Sequence, residues 1–145
     1  YDQLDGLFTS ARDHFTKRGP WRLPAQIKSK FKDVAKTMLA SVSKADVYEI
    51  FKQPVENEVS GYLDSITNPM DFGTMMTKVV QGKYGEGSDA ASNFYEDFLL
   101  VFDNCYQFNE GVGEVVDEAI VVFKVLPLTF AKSCQEVMAR AKRKR

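Results

Sequence analysis

The sequence predicts an all-α protein, a bundle of four main helices in which one connection is long. Apolar residues recur at spacings of three and four in four successive segments, the pattern of helices that bury one face. No segment alternates apolar and polar residues as a half-buried strand does. Short turns join the segments, apart from the stretch from Tyr48 to Pro69, and this arrangement is typical of a helix bundle.

Composition and charge are those of one globular domain with an acidic body. The chain has 145 residues, of which 44% are apolar and 27% charged, so it can bury a sizeable core. The net charge is −1, but five basic residues lie within 140–145 and leave the rest of the chain acidic. An acidic body argues against a nucleic-acid groove as the main function and favours basic ligands such as lysine-rich tails.

The two cysteines and the apolar runs indicate the compartment. Cys105 and Cys134 both fall on apolar helical faces, which predicts buried, reduced thiols in an intracellular protein. No apolar run approaches the length of a membrane span and no secretory segment opens the chain, so we expect no membrane association. The chain begins with Tyr1, and we expect it to be a piece of a longer protein.

The N-terminal part predicts an additional amphipathic helix over residues 2–18. Gly19-Pro20 ends it, and residues 21–24 form an extended connector. The apolar face is expected to pack on the main domain, and a partner-binding arm is the alternative. That face consists of Leu4, Leu7, Phe8, Ala11 and Phe15.

The first bundle helix is predicted from about Ala25 to Val47, and its lysines are expected to form a solvated face. The irregular stretch from Tyr48 to Pro69 follows. Loops of this length in compact domains are usually functional, and this one is rich in apolar residues. It should therefore pack on the bundle or line a pocket.

Three more helices are predicted after the loop. Asp71 is the expected N-cap of the first, and Gly82 its C′ residue. The second runs from about Asp89 to Phe108. The last begins near Gly113, and Pro127 should kink or split it.

The end of the second of these helices, Asn104 to Asn109, is the most informative stretch. Asn109 stands at the rim of an aromatic face with an uncharged side chain that both donates and accepts hydrogen bonds, which suits a neutral amide ligand. Asn before a glycine-containing turn is also a common helix C-cap. The hexapeptide alone leaves both interpretations open.

The segment from Phe51 to Val115 resembles a bromodomain, the four-helix bundle that reads acetyl-lysine. The resemblance covers roughly residues 27–138 and implies a left-handed four-helix bundle with a long loop between its first two helices, plus the extra N-terminal helix. The domains expected are an N-terminal extension and connector (1–24), a bromodomain (25–138) and a basic tail (139–145). The pieces that carry the resemblance are Phe51-Lys52-Gln53-Pro54-Val55, Tyr62, Ile66, Asn68-Pro69-Met70-Asp71-Phe72-Gly73-Thr74-Met75, Gly82-Lys83-Tyr84, Asp97-Phe98 and Asn104-Cys105-Tyr106-Gln107-Phe108-Asn109.

The resemblance also implies a binding site. Asn109 would donate its amide to the acetyl carbonyl oxygen, and Tyr62 would hold a water bridging to the same oxygen. An unmodified lysine would carry an ammonium into an apolar slot with no carboxylate partner. Burying that unpaired charge would cost several kcal/mol. The walls of the slot would be Val55, Val59, Phe51, Cys105, Phe108 and Val115, with Val115 at the position that gates its width.

Some positions depart from the family pattern. Glu49 and Ile50 stand where the family often has Trp-Pro, which forms an apolar shelf at the pocket rim; a carboxylate there favours a basic residue beside the acetyl-lysine. Phe108 and Leu63 stand where tyrosines are frequent. We expect these changes to alter which marks are bound, and a degenerate domain acting as an interaction scaffold is the alternative.

Enzyme chemistry is not expected, and neither is a cofactor or a metal. The only histidine, His14, falls on the predicted N-terminal helix and is expected to be a surface residue, and no Cys-x-x-Cys, His-x-x-x-His or glycine-rich phosphate loop is present. The basic tail could contact DNA weakly, but a solvated helix end or an import sequence suits it better. We therefore expect a monomeric nuclear protein whose partners are acetylated histone peptides and whose residues 2–18 could hold a protein partner.

Overall fold

The computed structural model describes residues 21–46, 49–55 and 61–143. Within these ranges all regular structure is helical and there is no strand, so the predicted all-α class is confirmed. The predicted helix over residues 2–18 lies outside the described residues. The helices are α1 (Phe31–Ala45), α2 (Tyr62–Ser65), α3 (Phe72–Val80), α4 (Gly87–Phe108) and α5 (Glu114–Arg143), and a 3-10 turn, Ala25–Ile27, precedes α1.

Helix α1 begins later than its apolar pattern predicted. Residues 25–30 form tighter turns instead, in which the Ile27 N–H donates to the Pro24 carbonyl at 3.0 Å and the Lys30 N–H to the Ile27 carbonyl at 2.9 Å. A 3-10 turn places buried apolar residues at nearly the same spacing as an α-helix does. The apolar spacing in the sequence therefore does not distinguish a 3-10 turn from the first turn of an α-helix. The predicted stripe itself is buried: Phe31, Val34, Ala35, Met38, Leu39 and Val42.

Helix α3 has the ends that the sequence predicted. Asp71 is its N-cap: Oδ2 accepts the Thr74 N–H at 2.9 Å and Oδ1 accepts the Thr74 hydroxyl at 2.6 Å. After the C-cap Gln81, Gly82 takes a φ of 72°, which a glycine adopts without strain.

Helix α5 runs unbroken through Pro127. Of the two outcomes predicted for this residue, a kink or a split, the split is therefore wrong. Proline removes one backbone donor and crowds the preceding turn, at a cost of about 3 kcal/mol in a helix interior. Leu126 and Phe130 are buried on either side of it, and each such side chain contributes about 1.5–3 kcal/mol by leaving water. This burial offsets the local cost and holds the helix together.

The bundle has two chemically different ends. Helix α1 packs on α3, α4 and α5. The start of α1 shares a depression with Val137 and Arg140 near the end of α5, and the residues just after α1 share one with Val115 at the start of α5, so the two helices run antiparallel. One end therefore carries the start of α1 and the end of α5. The other end carries the described residues between 46 and 71 (46, 49–55 and 61–71), the end of α4 and the start of α5.

An aromatic cluster fills the space between the helices. Trp21 stacks on Phe130 with ring centroids 5.1 Å apart, and its edge contacts involve Tyr95 and Phe98 of α4. Trp21 therefore packs on the bundle although it precedes the predicted domain boundary at residue 25, which stays a prediction. None of the described helices combines the length and the apolar character needed to cross a membrane.

Candidate functional site

A pocket of about 250 Å³ opens at the end of the bundle where the long loop meets α4 and α5. All predicted site and rim residues within the described ranges line it, and Val59 lies outside those ranges. The lining residues are Glu49, Ile50, Phe51, Gln53, Val55, Tyr62, Met70, Asp71, Val101, Cys105, Phe108, Asn109 and Val115.

The end of α4 sets the position of Asn109. This residue is the C-cap, and the next two residues, Glu110 and Gly111, have positive φ angles of 53° and 75°. The Glu110 N–H donates to the Gln107 carbonyl at 3.2 Å and the Gly111 N–H to the Tyr106 carbonyl at 2.9 Å, which together form a Schellman motif. Asn109 is thus a helix cap by its backbone and a pocket residue by its side chain.

The Asn109 amide is oriented by its own helix. Its Nδ2 donates to the Cys105 carbonyl at 2.8 Å and lies 3.9 Å from the Cys105 sulfur. A side-chain amide nitrogen carries two hydrogens, and the backbone carbonyl takes one of them. The other makes only the long contact to the Cys105 sulfur, and an acceptor in the pocket can replace it.

Tyr62 lies on the opposite wall, in the short helix α2. Its side chain is buried, and its ring contacts the Phe108 ring edge-on with centroids 4.9 Å apart. Gly61, with a φ of 80°, precedes it and provides the tight entry into α2. The contact ties the loop to the end of α4.

Cys105 contributes an uncharged wall. Burial raises the pKa of its thiol to about 12, and the hydrogen bond from Asn109 acts in the opposite direction. The thiol also donates a long contact to the Val115 carbonyl at 3.8 Å. Burial likewise raises the pKa of Cys134 to about 11, and both thiols are free and buried as predicted.

Four hydrogen bonds that the sequence did not reveal hold the loop around the pocket. The fully buried Asp46 accepts the N–H groups of Ile50 at 2.9 Å and Phe51 at 2.8 Å. The Phe51 carbonyl in turn accepts the Phe72 N–H at 2.8 Å. Farther along, the buried Asn104 donates to the Asn68 carbonyl at 2.7 Å. These bonds satisfy loop backbone groups that would otherwise be buried without partners.

Other pocket residues were also missed. Met70 and Val101 belong to apolar patterns that predict core positions, and only the folded loop shows that their side chains also face the pocket. Asp71 was predicted only as a helix cap. Gln53, an exposed loop residue, carries no pattern that could have identified it.

The rim carries one acidic side chain. Glu49 is exposed, has a φ of 56° and lies 3.3 Å from the Lys52 ammonium. Beside it, Ile50 is half-buried and lines the same pocket. Within the described residues, no group of three or more His, Cys, Asp or Glu side chains could hold a metal ion.

Comparison with known proteins identifies the family. The sequence model of the bromodomain family matches residues 35–120, more than half of the chain. The chain belongs to the bromodomain family. Bromodomains are generally non-catalytic modules that bind acetyl-lysine.

This bromodomain is similar to segments of much longer proteins. It is 42% identical over 79 residues to "Bromodomain adjacent to zinc finger domain protein 2A" of Homo sapiens. The aligned region covers 54% of this chain and 4% of the human protein. It is 34% identical over 94 residues to "Bromodomain-containing factor 2" of Saccharomyces cerevisiae, covering 61% of this chain and 14% of the yeast protein. The chain thus spans a small part of these relatives.

Solved bromodomain structures share the fold. One from Leishmania donovani, complexed with bromosporine, has a TM-score of 0.63 and 28% identity over 70% of this chain and 84% of that one. A hypothetical bromodomain from Trypanosoma brucei has a TM-score of 0.64 and 20% identity over 73% of this chain and 90% of that one, a likeness of fold alone.

Proposed function

We propose that this bromodomain binds acetylated lysine on histone tails in the nucleus. Asn109 donates its second amide hydrogen to the acetyl carbonyl oxygen, and Tyr62 holds a water that bridges to the same oxygen. The observation that carries this proposal is the position of Asn109: its amide lies at a largely apolar pocket while one of its hydrogens is already held by the Cys105 carbonyl.

The pocket suits a neutral side chain better than an ammonium. Two carboxylates line it: the buried Asp71 binds Thr74 through both oxygens, and Glu49 is an exposed rim residue 3.3 Å from Lys52. The Cys105 thiol stays protonated at neutral pH because burial raises its pKa. A lysine ammonium would lose its water without gaining a free carboxylate, whereas acetylation removes the charge and presents a carbonyl to Asn109.

The size of the pocket predicts weak binding. About 250 Å³ is enough for one side chain, and most of the remaining peptide stays outside. At about 0.5–0.85 kcal/mol per non-hydrogen atom, roughly eight buried atoms contribute about 4–7 kcal/mol, which corresponds to dissociation constants of about 10 µM to 1 mM. Glu49 at the rim favours peptides with a basic residue next to the acetyl-lysine.

The experiment that tests this function is a titration of the 15N-labelled protein with matched histone-tail peptides, acetylated and unmodified. Saturable shifts at Tyr62, Asn109 and Val115 with the acetylated peptides alone are expected. Bromosporine, which the Leishmania structure contains, should displace these peptides. Equal shifts with unmodified peptides, or none with any acetylated one, would overturn the proposal.

A further inference from the structure

The end of the bundle opposite the pocket carries a concentration of basic side chains, which we name the basic end. It gathers residues from three separate parts of the chain: the approach to α1, the turn after α3, and the end of α5. Within the described part of the chain, the basic end consists of exposed side chains only: Lys28, Lys30, Lys32, Lys83, Lys142 and Arg143.

Two depressions join these segments into one surface. Lys30 and Arg140 line a shallow pocket between α1 and α5. On the other side of α1, Lys28 and Lys32 line a groove of about 600 Å³ whose far wall is the turn at Gly82 to Glu86. Lys32 is fixed on that groove by donating to the Val80 carbonyl at 3.2 Å.

The charge of this surface is largely uncompensated. Arg140 is engaged by Glu136 at 2.7 Å and by Thr37, so this pair adds no net charge. The acidic side chains that line the two depressions are Asp33 and Glu86, against the basic residues named above. From the sequence, the basic tail was predicted to be a solvated helix end. The fold brings the lysines that precede α1 close to the end of α5, and the sequence alone does not reveal this proximity.

The shape of the surface selects the kind of anion. Both depressions are open and are edged by lysines, flexible point charges that do not enclose a single phosphate as an arginine fork does. Helices pack with axes about 8–10 Å apart, so the basic residues around α1 extend over a distance that several successive phosphates occupy. A polyanion with regularly repeated charge fits this arrangement.

We propose that the basic end binds the phosphate backbone of duplex DNA. The choice of DNA rests on the proposed function, since a module that binds histone tails acts next to DNA. Val115 and Arg140 are separated by 25 residues of one helix, about 38 Å at 1.5 Å per residue, so the pocket and the basic end can be occupied together. The contact is independent of base sequence.

The test is fluorescence anisotropy of a labelled 20-base-pair duplex over a range of salt concentrations. Each phosphate contact contributes about 0.9 to the slope of log K against log salt. K28Q/K30Q/K142Q should therefore reduce the magnitude of the slope by about 2 to 3 and weaken binding about tenfold or more at low salt. K44Q/K124Q/K132Q removes the same charge from exposed positions outside the basic end and should retain most of the binding.

Melting temperatures of both variants establish that they are folded, and acetyl-peptide titrations show whether the two sites are independent. Peptide affinity should be unchanged in K28Q/K30Q/K142Q, so a failure of the DNA contact is distinguishable from a failure of the pocket. The proposal is overturned by a wild-type salt slope near zero or by equal losses in the two variants. Tighter binding to single-stranded RNA or to phosphatidylserine vesicles than to the duplex also contradicts it.

Discussion

The carboxylate of Asp46 holds the backbone of Phe51: Oδ2 accepts the Phe51 N–H at 2.8 Å, and both residues are buried. Oδ1 accepts the neighbouring Ile50 N–H at 2.9 Å. Asp46 is also the C-cap residue of α1. A single side chain thus joins the first bundle helix to the loop that lines the pocket.

Removing this carboxylate should destabilise the protein. Asp46→Ala leaves two amides without their acceptor, and we expect a loss of about 2–4 kcal/mol in the free energy of unfolding. Asp46→Asn keeps the shape but directs an NH2 group at one of the amide donors, so a loss of about 1–3 kcal/mol is expected. Urea unfolding measures both, and a wild-type midpoint for Asp46→Asn would contradict this role.

Asp46 also shows what the sequence could not reveal. An aspartate near the end of an amphipathic helix has the same local pattern whether it faces water or caps a loop. The difference depends on how the chain folds back after residue 46, and this is a tertiary relation. The four main helices were predictable, because each has its own apolar period. The one-turn helix α2 lies inside the stretch that was predicted to be irregular, and it was missed because four residues are too few to show such a period.

Gly73 is required by the close approach of the loop to α3. Its N–H donates to the Lys52 carbonyl at 3.0 Å, and an added Cβ would lie 2.7 Å from that same oxygen. Replacing glycine by alanine in an unobstructed helix interior raises the free energy of unfolding by about 1 kcal/mol. Gly73→Ala should instead lower stability by about 1–3 kcal/mol because a backbone segment must move. Thermal unfolding gives the sign, and a rise in Tm would contradict the contact.

Glu110 occupies a backbone conformation that suits glycine. Its φ of 53° places a side chain in the left-handed region, which costs non-glycine residues about 1–2 kcal/mol. Glu110→Gly should therefore stabilise the protein by about 0.5–1 kcal/mol after the entropy of the unfolded chain is counted. Gly111→Ala, at a φ of 75°, is the matched opposite and should destabilise it. Chemical unfolding of the two variants compares them directly, and a loss in Glu110→Gly would be the contrary result.

The sequence predicted that Asn109 lies at this turn, but it did not predict the strained backbone of the next residue, Glu110. Asn and Gly flank Glu110, and either would be the expected left-handed residue. Gly111 does take that conformation, but Glu110 takes it as well and Asn109 does not. Local residue preference predicted the location of the turn, while the exact register of the helix end depended on packing of α4 against the loop.

The Cys105 thiol should be unreactive at mild pH. Burial raises its pKa to about 12 from 9.0, so its thiolate fraction at pH 8 falls about a thousandfold. The unfolded chain loses this proton near pH 9, whereas the folded protein keeps it until about pH 12. The contribution of the buried, neutral thiol to the free energy of unfolding is therefore complete below pH 9 and is lost as the pH rises toward 12. Mass spectrometry after iodoacetamide treatment should show labelling only after unfolding in urea. Rapid alkylation of the folded protein at pH 8 would contradict the buried, neutral wall.

The measurement that tests the central claim most directly is calorimetric titration of Asn109→Ala with the acetylated histone peptide that the wild-type protein binds best. The substitution should leave the melting temperature nearly unchanged and weaken binding at least tenfold, about 1.4 kcal/mol. Gln107→Ala, at an exposed position of the same helix end, is the matched control and should bind like the wild type. A folded Asn109→Ala protein that binds the peptide with wild-type affinity would contradict the account.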